Sequence, residues 1–161
     1  MPDWTAAVVT VSDSAAAGES TDTSGAVAVG ALENVGFDVV ESVIVPDGVN
    51  SVAEALIRLS QSVSLIVTTG GTGLSQRDLT PEATRSVIDR EIPGISEAMR
   101  ADTFRKIPFG MLSRGVSGLR GGCVIVNLPG SPKAVTEGLA VIVDVLIHAV
   151  DVASGEFGRH G

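Results

Sequence analysis

The turn formed by Thr69, Gly70, Gly71, Thr72 and Gly73 follows an apolar run, SLIV, and leads to Asp78 and a helix-start signal at Thr80 and Pro81. Glycines allow positive φ and leave backbone N–H groups open to a ligand, an arrangement suited to phosphate oxygens. The pattern is neither GxGxxG opening into a helix nor a loop ending in GK[ST], so it is not a dinucleotide or P-loop motif. Asp78, and Asp47 in the turn VPDG, are hard carboxylates of the kind magnesium takes one or two of, completing its shell with water and substrate phosphates. Two acids beside a phosphate cradle need a cation, since otherwise they repel the ligand. The alternative for the same residues is structural: glycines that only turn the chain, Asp47 starting a turn and Asp78 capping a loop.

Other polar residues accompany this turn. Ser12, Asp13 and Ser14 follow an apolar run near the start, and Asn127, Pro129, Gly130 and Ser131 follow another, CVIV, near the end. Ser113 and Arg114 lie in a glycine-punctuated segment, and Arg77, Arg114 and Lys133 are the cations that could neutralise a phosphate or a pyrophosphate leaving group. The histidines, His148 and His160, fall in the last helix and the tail, away from Ser113, so a Ser-His-Asp triad or a histidine metal site does not fit.

Positioning these residues requires an α/β fold, because short β-rich apolar runs alternate with segments of helical periodicity. Strands are expected at 6–12, 37–45, 64–70 and 123–130. Helices are expected at 23–35, ended by Gly36; at 50–62, capped by Asn50 or Ser51; from about 81, capped by Thr80 and broken at Pro93 and Gly94; at 95–105; and from Pro132, capped by Ser131. The class is a three-layer domain with a mostly parallel central sheet, whose ligand crevice lies beyond the carboxyl ends of the strands. SDS, VPDG, TTGGTG and NLPGSP all fall at such ends. One domain over 1–153 and a flexible tail over 154–161 are expected.

Composition narrows the partners. With 161 residues and 44% hydrophobic residues the chain can bury a sizeable core as one domain. A net charge of -8, with four Phe, one Trp and no Tyr, offers neither a broad cationic surface nor stacking platforms, which argues against nucleic acid and anionic membrane surfaces. Cys123 is the single cysteine, so no disulfide or cysteine cluster forms within the chain, and its apolar context predicts packing as a small hydrophobe. The first residues lack a signal-peptide pattern and no run suits a membrane span, so a cytoplasmic location is expected.

Taken in order, VSDS, VPDG, TTGGTGLSQRDLTPEAT, IPGISEAMR, GMLSRGVSGLRG and VIVNLPGSP resemble the MogA/MoaB family of molybdenum cofactor biosynthesis, which includes molybdopterin adenylyltransferases and the gephyrin G domain. The likeness runs from about residue 6 to 150. It implies a homotrimer, or a hexamer in some members, that uses Mg2+ and ATP to adenylylate molybdopterin, and a downstream molybdenum insertion protein as partner. By motif it implies that Asp47 and Asp78 are the catalytic, metal-binding acids. It also implies that Ser12, Asp13, Ser14, Thr69, Gly70, Gly71, Thr72, Gly73, Ser113, Arg114, Asn127, Pro129, Gly130 and Ser131 hold molybdopterin and nucleotide. Gly48 follows Asp47 where the family commonly has another acid. A non-catalytic molybdopterin carrier or scaffold of the same family is the alternative.

Overall fold

The computed structural model describes residues 4–155. Four strands, β1 (Thr5–Val11), β2 (Asp38–Val45), β3 (Leu65–Thr69) and β6 (Cys123–Leu128), run parallel to one another. Two short strands, β4 (Arg90–Glu91) and β5 (Ser117–Arg120), add antiparallel to give the order β2-β1-β3-β6-β5-β4. This is the mostly parallel α/β sheet that the alternating apolar runs require.

Among the described residues the six α-helices are α1 (Asp13–Ala16), α2 (Thr23–Asn34), α3 (Val49–Ser60), α4 (Thr80–Val87), α5 (Pro93–Lys106) and α6 (Pro132–Ala153). Side chains alternate across a strand, so one sheet feeds two cores. Ala6, Val8, Leu65, Val67, Val124 and Val126 pack with Leu32 of α2, Met99 of α5 and Leu139, Ile142 and Leu146 of α6. Ala7, Val9, Ile66 and Ile125 pack on the other side with Val52, Leu56 and Leu59 of α3 and Ala83 and Val87 of α4. Each fully buried Leu or Ile contributes roughly 1.5–3 kcal/mol relative to exposure, so the interior of the sheet carries the stability. Cys123 is buried at the start of β6 and behaves as the expected hydrophobe, with burial pushing its thiol pKa up to about 12.

Ser131 caps α6 as its sequence position suggests, accepting from the N–H of Ala134 at 3.1 Å. Ser131→Ala should lower stability by about 1 kcal/mol, the usual worth of an N-cap hydroxyl. Thermal denaturation would show this as a fall of roughly 2–4 °C, and an unchanged midpoint would mean that α6 is held by packing alone.

Several boundaries differ from the sequence expectation. Helix α3 begins after Gly48, not at an Asn50 or Ser51 cap, because Ser51 Oγ turns back to donate to the carbonyls of Pro46 and Gly48. Thr80 lies inside α4 and does not cap it; Leu79 is the boundary residue and has no side-chain cap bond. That helix stops at Val87 and not at Pro93, since the N–H groups of Asp89 and Ile92 are drawn to the carbonyls of Leu119 and Ser117 at the sheet edge. Pro93 then opens α5, where a proline costs no hydrogen bond. The glycine-punctuated segment holds a 3-10 turn at Pro108–Leu112 and strand β5, and SDS leads into the short α1. Of the expected tail, Ser154 and Gly155 close α6, and 156–161, with His160, lie outside the described residues.

Candidate functional site

The carboxyl ends of β1, β2, β3 and β6 share one rim, and beyond them opens a crevice of about 320 Å³. Ser12, Asp47, Thr69, Gly70, Gly71, Asp78 and Gly130 line it, so both acids and the glycine turn meet as the strand ends predict. A second cavity of about 180 Å³ adjoins, walled largely by apolar groups; Ser113, Asn127 and Pro129 line it with Met99, Ile107 and Phe109. Pro129 and Gly130, adjacent in sequence, separate the two spaces.

The glycine turn is shaped by close approach. Gly70 has φ +91° and Gly71 φ +70°, values that L side chains rarely adopt. The N–H of Gly70 donates to the carbonyl of Leu128 at 3.1 Å, tying the turn to β6. A Cβ on Gly73 would lie 2.9 Å from Asp78 Oδ2, so that carboxylate stands directly against the bare backbone. Asp78 Oδ2 also accepts from the N–H of Ser75 at 3.0 Å, which folds the loop around the acid.

Asp47 is held by a reciprocal pair: its Oδ2 accepts from the N–H of Asp13 at 3.1 Å, and its own N–H donates to Asp13 Oδ1 at 3.0 Å. Arg77 closes this arrangement, donating to both oxygens of Asp13 and to the carbonyl of Asp47 at 2.9 to 3.0 Å. Exposed pairs of this kind add little stability, but here the pair joins the β1 end, the β2 end and the 70s loop. Arg77 beside Asp13 lowers the Asp13 carboxyl pKa, whereas burial, reinforced by the carboxylates of Asp13 and Asp78, raises that of Asp47. Negative charge is thus crowded around Asp47.

A sequence model described as a probable molybdopterin binding domain matches residues 7–148. The chain belongs to the MogA/MoaB family. The molybdopterin adenylyltransferase of Helicobacter pylori J99 is 38% identical over 116 residues, covering 71% of this chain and 66% of its own length, so the match spans just under two thirds of that relative. Among solved structures, MoaB of Thermus thermophilus is 42% identical with a TM-score of 0.89, covering 94% of this chain and 97% of its own. The Mog protein of Mycobacterium ulcerans is 46% identical with a TM-score of 0.88, covering 92% and 98%. Likeness to MoaB and Mog proteins is therefore similar in extent.

Within this family member, some motif side chains are already occupied. Asn127 is buried; its amide donates to Thr68 Oγ1 and Thr84 Oγ1, both at 3.0 Å, and accepts from the N–H of Val116. Arg114 grips the loop, donating to the carbonyls of Gly73 at 2.9 Å and Asp78 at 2.6 Å while paired with Glu82, and its N–H meets the carbonyl of Thr72. Arg114 does not line the crevice; it borders a shallow cleft with Glu82, Arg85, Arg100 and Ser113. Ser14 contacts Ser12 and Ser20 by hydroxyl bonds, and Lys133 and Ser131 are exposed at the start of α6. His148 does not line either space.

Sequence reasoning missed the segment from Ser20 to Ser24, which forms a crevice wall. Asp22 caps α2 by accepting from the N–H of Gly25 at 2.8 Å and takes the Thr10 hydroxyl at 2.7 Å. An acid three residues ahead of Gly25 at a helix start was the available signal. Arg100, Met99 and Phe109, which shape the apolar cavity, gave none, because they come together only in the folded chain.

Magnesium can be tested against these donors. Among the described residues no group of three or more His, Cys, Asp or Glu side chains forms a cage. Two carboxylates on one crevice, with burial and then the neighbouring carboxylates raising the pKa of Asp47, fit a hydrated ion that takes its remaining ligands from water and phosphates.

Proposed function

We propose that the protein transfers AMP from ATP to the phosphate of molybdopterin, releasing pyrophosphate. The observation that carries this reading is the meeting of Asp47 and Asp78 with the positive-φ turn at Gly70 and Gly71 in one crevice. The similarity to the Helicobacter pylori molybdopterin adenylyltransferase supports it.

In the proposed reaction an oxygen of the molybdopterin phosphate bonds to the α-phosphorus of ATP. The bond from that phosphorus to the oxygen bridging toward the β-phosphate breaks, and pyrophosphate leaves with the electron pair. A phosphate monoester is largely ionised near neutral pH, so no histidine base is needed; positioning and charge stabilisation suffice. Asp47 and Asp78 would hold magnesium, which supplies neutralisation of phosphate charge when bound. The glycine turn lets phosphate oxygens approach the backbone without a side chain in the way. Asp13 and Arg77 fix the Asp47 backbone, and Arg114 fixes the loop that carries Asp78. The adjoining apolar cavity, with Met99 and Phe109 in its wall, suits a flat pterin ring beside Ser113 and Pro129.

The test is pyrophosphate release from ATP by the purified protein, with and without molybdopterin and with and without magnesium. Release that requires both is expected. Binding of molybdopterin without any release would favour the carrier alternative.

A further inference from the structure

Thr80 is fully buried, and its Oγ1 is the one buried side-chain polar atom without a hydrogen-bond partner among the described residues. The hydroxyls around it are satisfied: Thr68 and Thr84 accept from Asn127, and Thr69 meets Ser24. A buried unpaired hydroxyl is unfavourable, and native proteins hold few of them. Its position gives the reason for keeping one here. Thr80 sits below the glycine turn, its N–H donating to the carbonyl of Gly71 at 3.1 Å. A Cβ built on Gly71 would overlap Thr80 Oγ1 and lie 3.3 Å from Asp47 Oδ1, so hydroxyl and carboxylate flank one point beside the bare glycine.

Asp47 Oδ2 is engaged by the N–H of Asp13, while Oδ1 carries no hydrogen bond among the described residues. A buried hydroxyl without an acceptor and a carboxylate oxygen without a protein donor thus lie beside the same glycine. We propose that Thr80 is a positioning residue whose hydroxyl donates to Asp47 Oδ1 when the crevice takes up a magnesium nucleotide. A ligand filling the crevice excludes water from Asp47, and in that drier setting a fixed O–H donor replaces the lost solvent. The hydroxyl acts through Asp47: it orients the carboxylate and does not touch the reacting atoms. This inference rests on the reading that the crevice binds magnesium and ATP.

The experiment compares wild type, Thr80→Val and Thr80→Ser in two measurements, thermal unfolding of the free protein and calorimetric binding of ATP with magnesium. Thr80→Val replaces the unpaired hydroxyl by a methyl, so the free protein should melt higher, yet ATP with magnesium should bind roughly tenfold or more weakly, the scale of one hydrogen bond to a charged group. Thr80→Ser keeps the hydroxyl and should bind within about twofold of wild type, a rescue that a purely steric role would not produce. Wild-type affinity in Thr80→Val overturns the inference, as does a lower melting temperature in that variant, which would mean that the hydroxyl is already satisfied in the free protein. Failure of wild type itself to bind ATP with magnesium would overturn both this inference and the proposed function. Binding by wild type without pyrophosphate release would overturn only the proposed function.

Discussion

Asp47→Asn is expected to lower molybdopterin-dependent pyrophosphate release by roughly 10²- to 10³-fold, the loss typical of removing one preorganised electrostatic group, while raising the melting temperature at neutral pH. The two effects share a cause. Burial, together with the carboxylates of Asp13 and Asp78, raises the Asp47 carboxyl pKa in the folded protein. A raised carboxyl favours folding at pH values below its unfolded pKa, and that contribution is lost as pH rises through the folded value. At neutral pH the ionised group therefore costs stability. Asparagine removes the charge, and its amide oxygen can still accept from the N–H of Asp13. The stability gain should fade as pH falls below the ordinary carboxylate pKa, where the wild-type carboxyl is also neutral. Melting curves from pH 7 down to about pH 3 check this, the lower limit lying beneath the usual aspartate pKa. Full turnover by the variant would remove Asp47 from the reaction, and no stabilisation at pH 7 would remove the electrostatic account.

Gly70→Ala should be the most damaging single methyl. Gly70 has φ +91°, and an alanine there meets left-handed strain of about 1–2 kcal/mol. The added Cβ would also overlap the backbone carbonyl of Val11, the last residue of β1. A carbonyl in a strand cannot step aside like a flexible side chain, so β1 and β3 must separate locally. A total loss of about 3 kcal/mol or more is expected, from strain and overpacking together. Denaturant unfolding would show it as a lower midpoint with the same slope. A loss below about 0.5 kcal/mol, the scale of an ordinary surface substitution, would show that the turn relaxes freely.

Much of this fold is legible in the chain because its central strands are plain apolar runs. Ala6 to Val11, Leu65 to Val67 and Cys123 to Val126 carry no charge, as strands covered on both faces must not, while β2 at the edge alternates more exposed with less exposed residues. Gly36 ends α2 and Ser131 starts α6 by local backbone chemistry that needs no tertiary information. Strands β4 and β5 lack such a signal. RE and SGLR are too short for periodicity, and they become strands because the free edge of β6 accepts SGLR and the edge of SGLR in turn accepts RE. The crevice followed the same division. Asp47, Asp78 and the glycines stand at strand ends and could be placed by topology alone. The internal use of Asn127 and the grip of Arg114 on the Asp78 loop depend on which neighbours folding brings near, and no spacing encodes that.

The sheet order also bears on how this protein comes to exist in a cell. Strand β3 lies between β1 and β6, and its five residues are all buried in the finished molecule. During synthesis its partner on one side is made first, whereas β6 is made more than fifty residues later. Through that interval the growing chain carries an apolar strand with an unpaired edge, the kind of surface that recruits a strand from another chain. Completion of β6 removes this hazard and, through Pro129 and Gly130, supplies the last corner of the crevice. Escape from aggregation and acquisition of the site are therefore the same late event in the life of the chain.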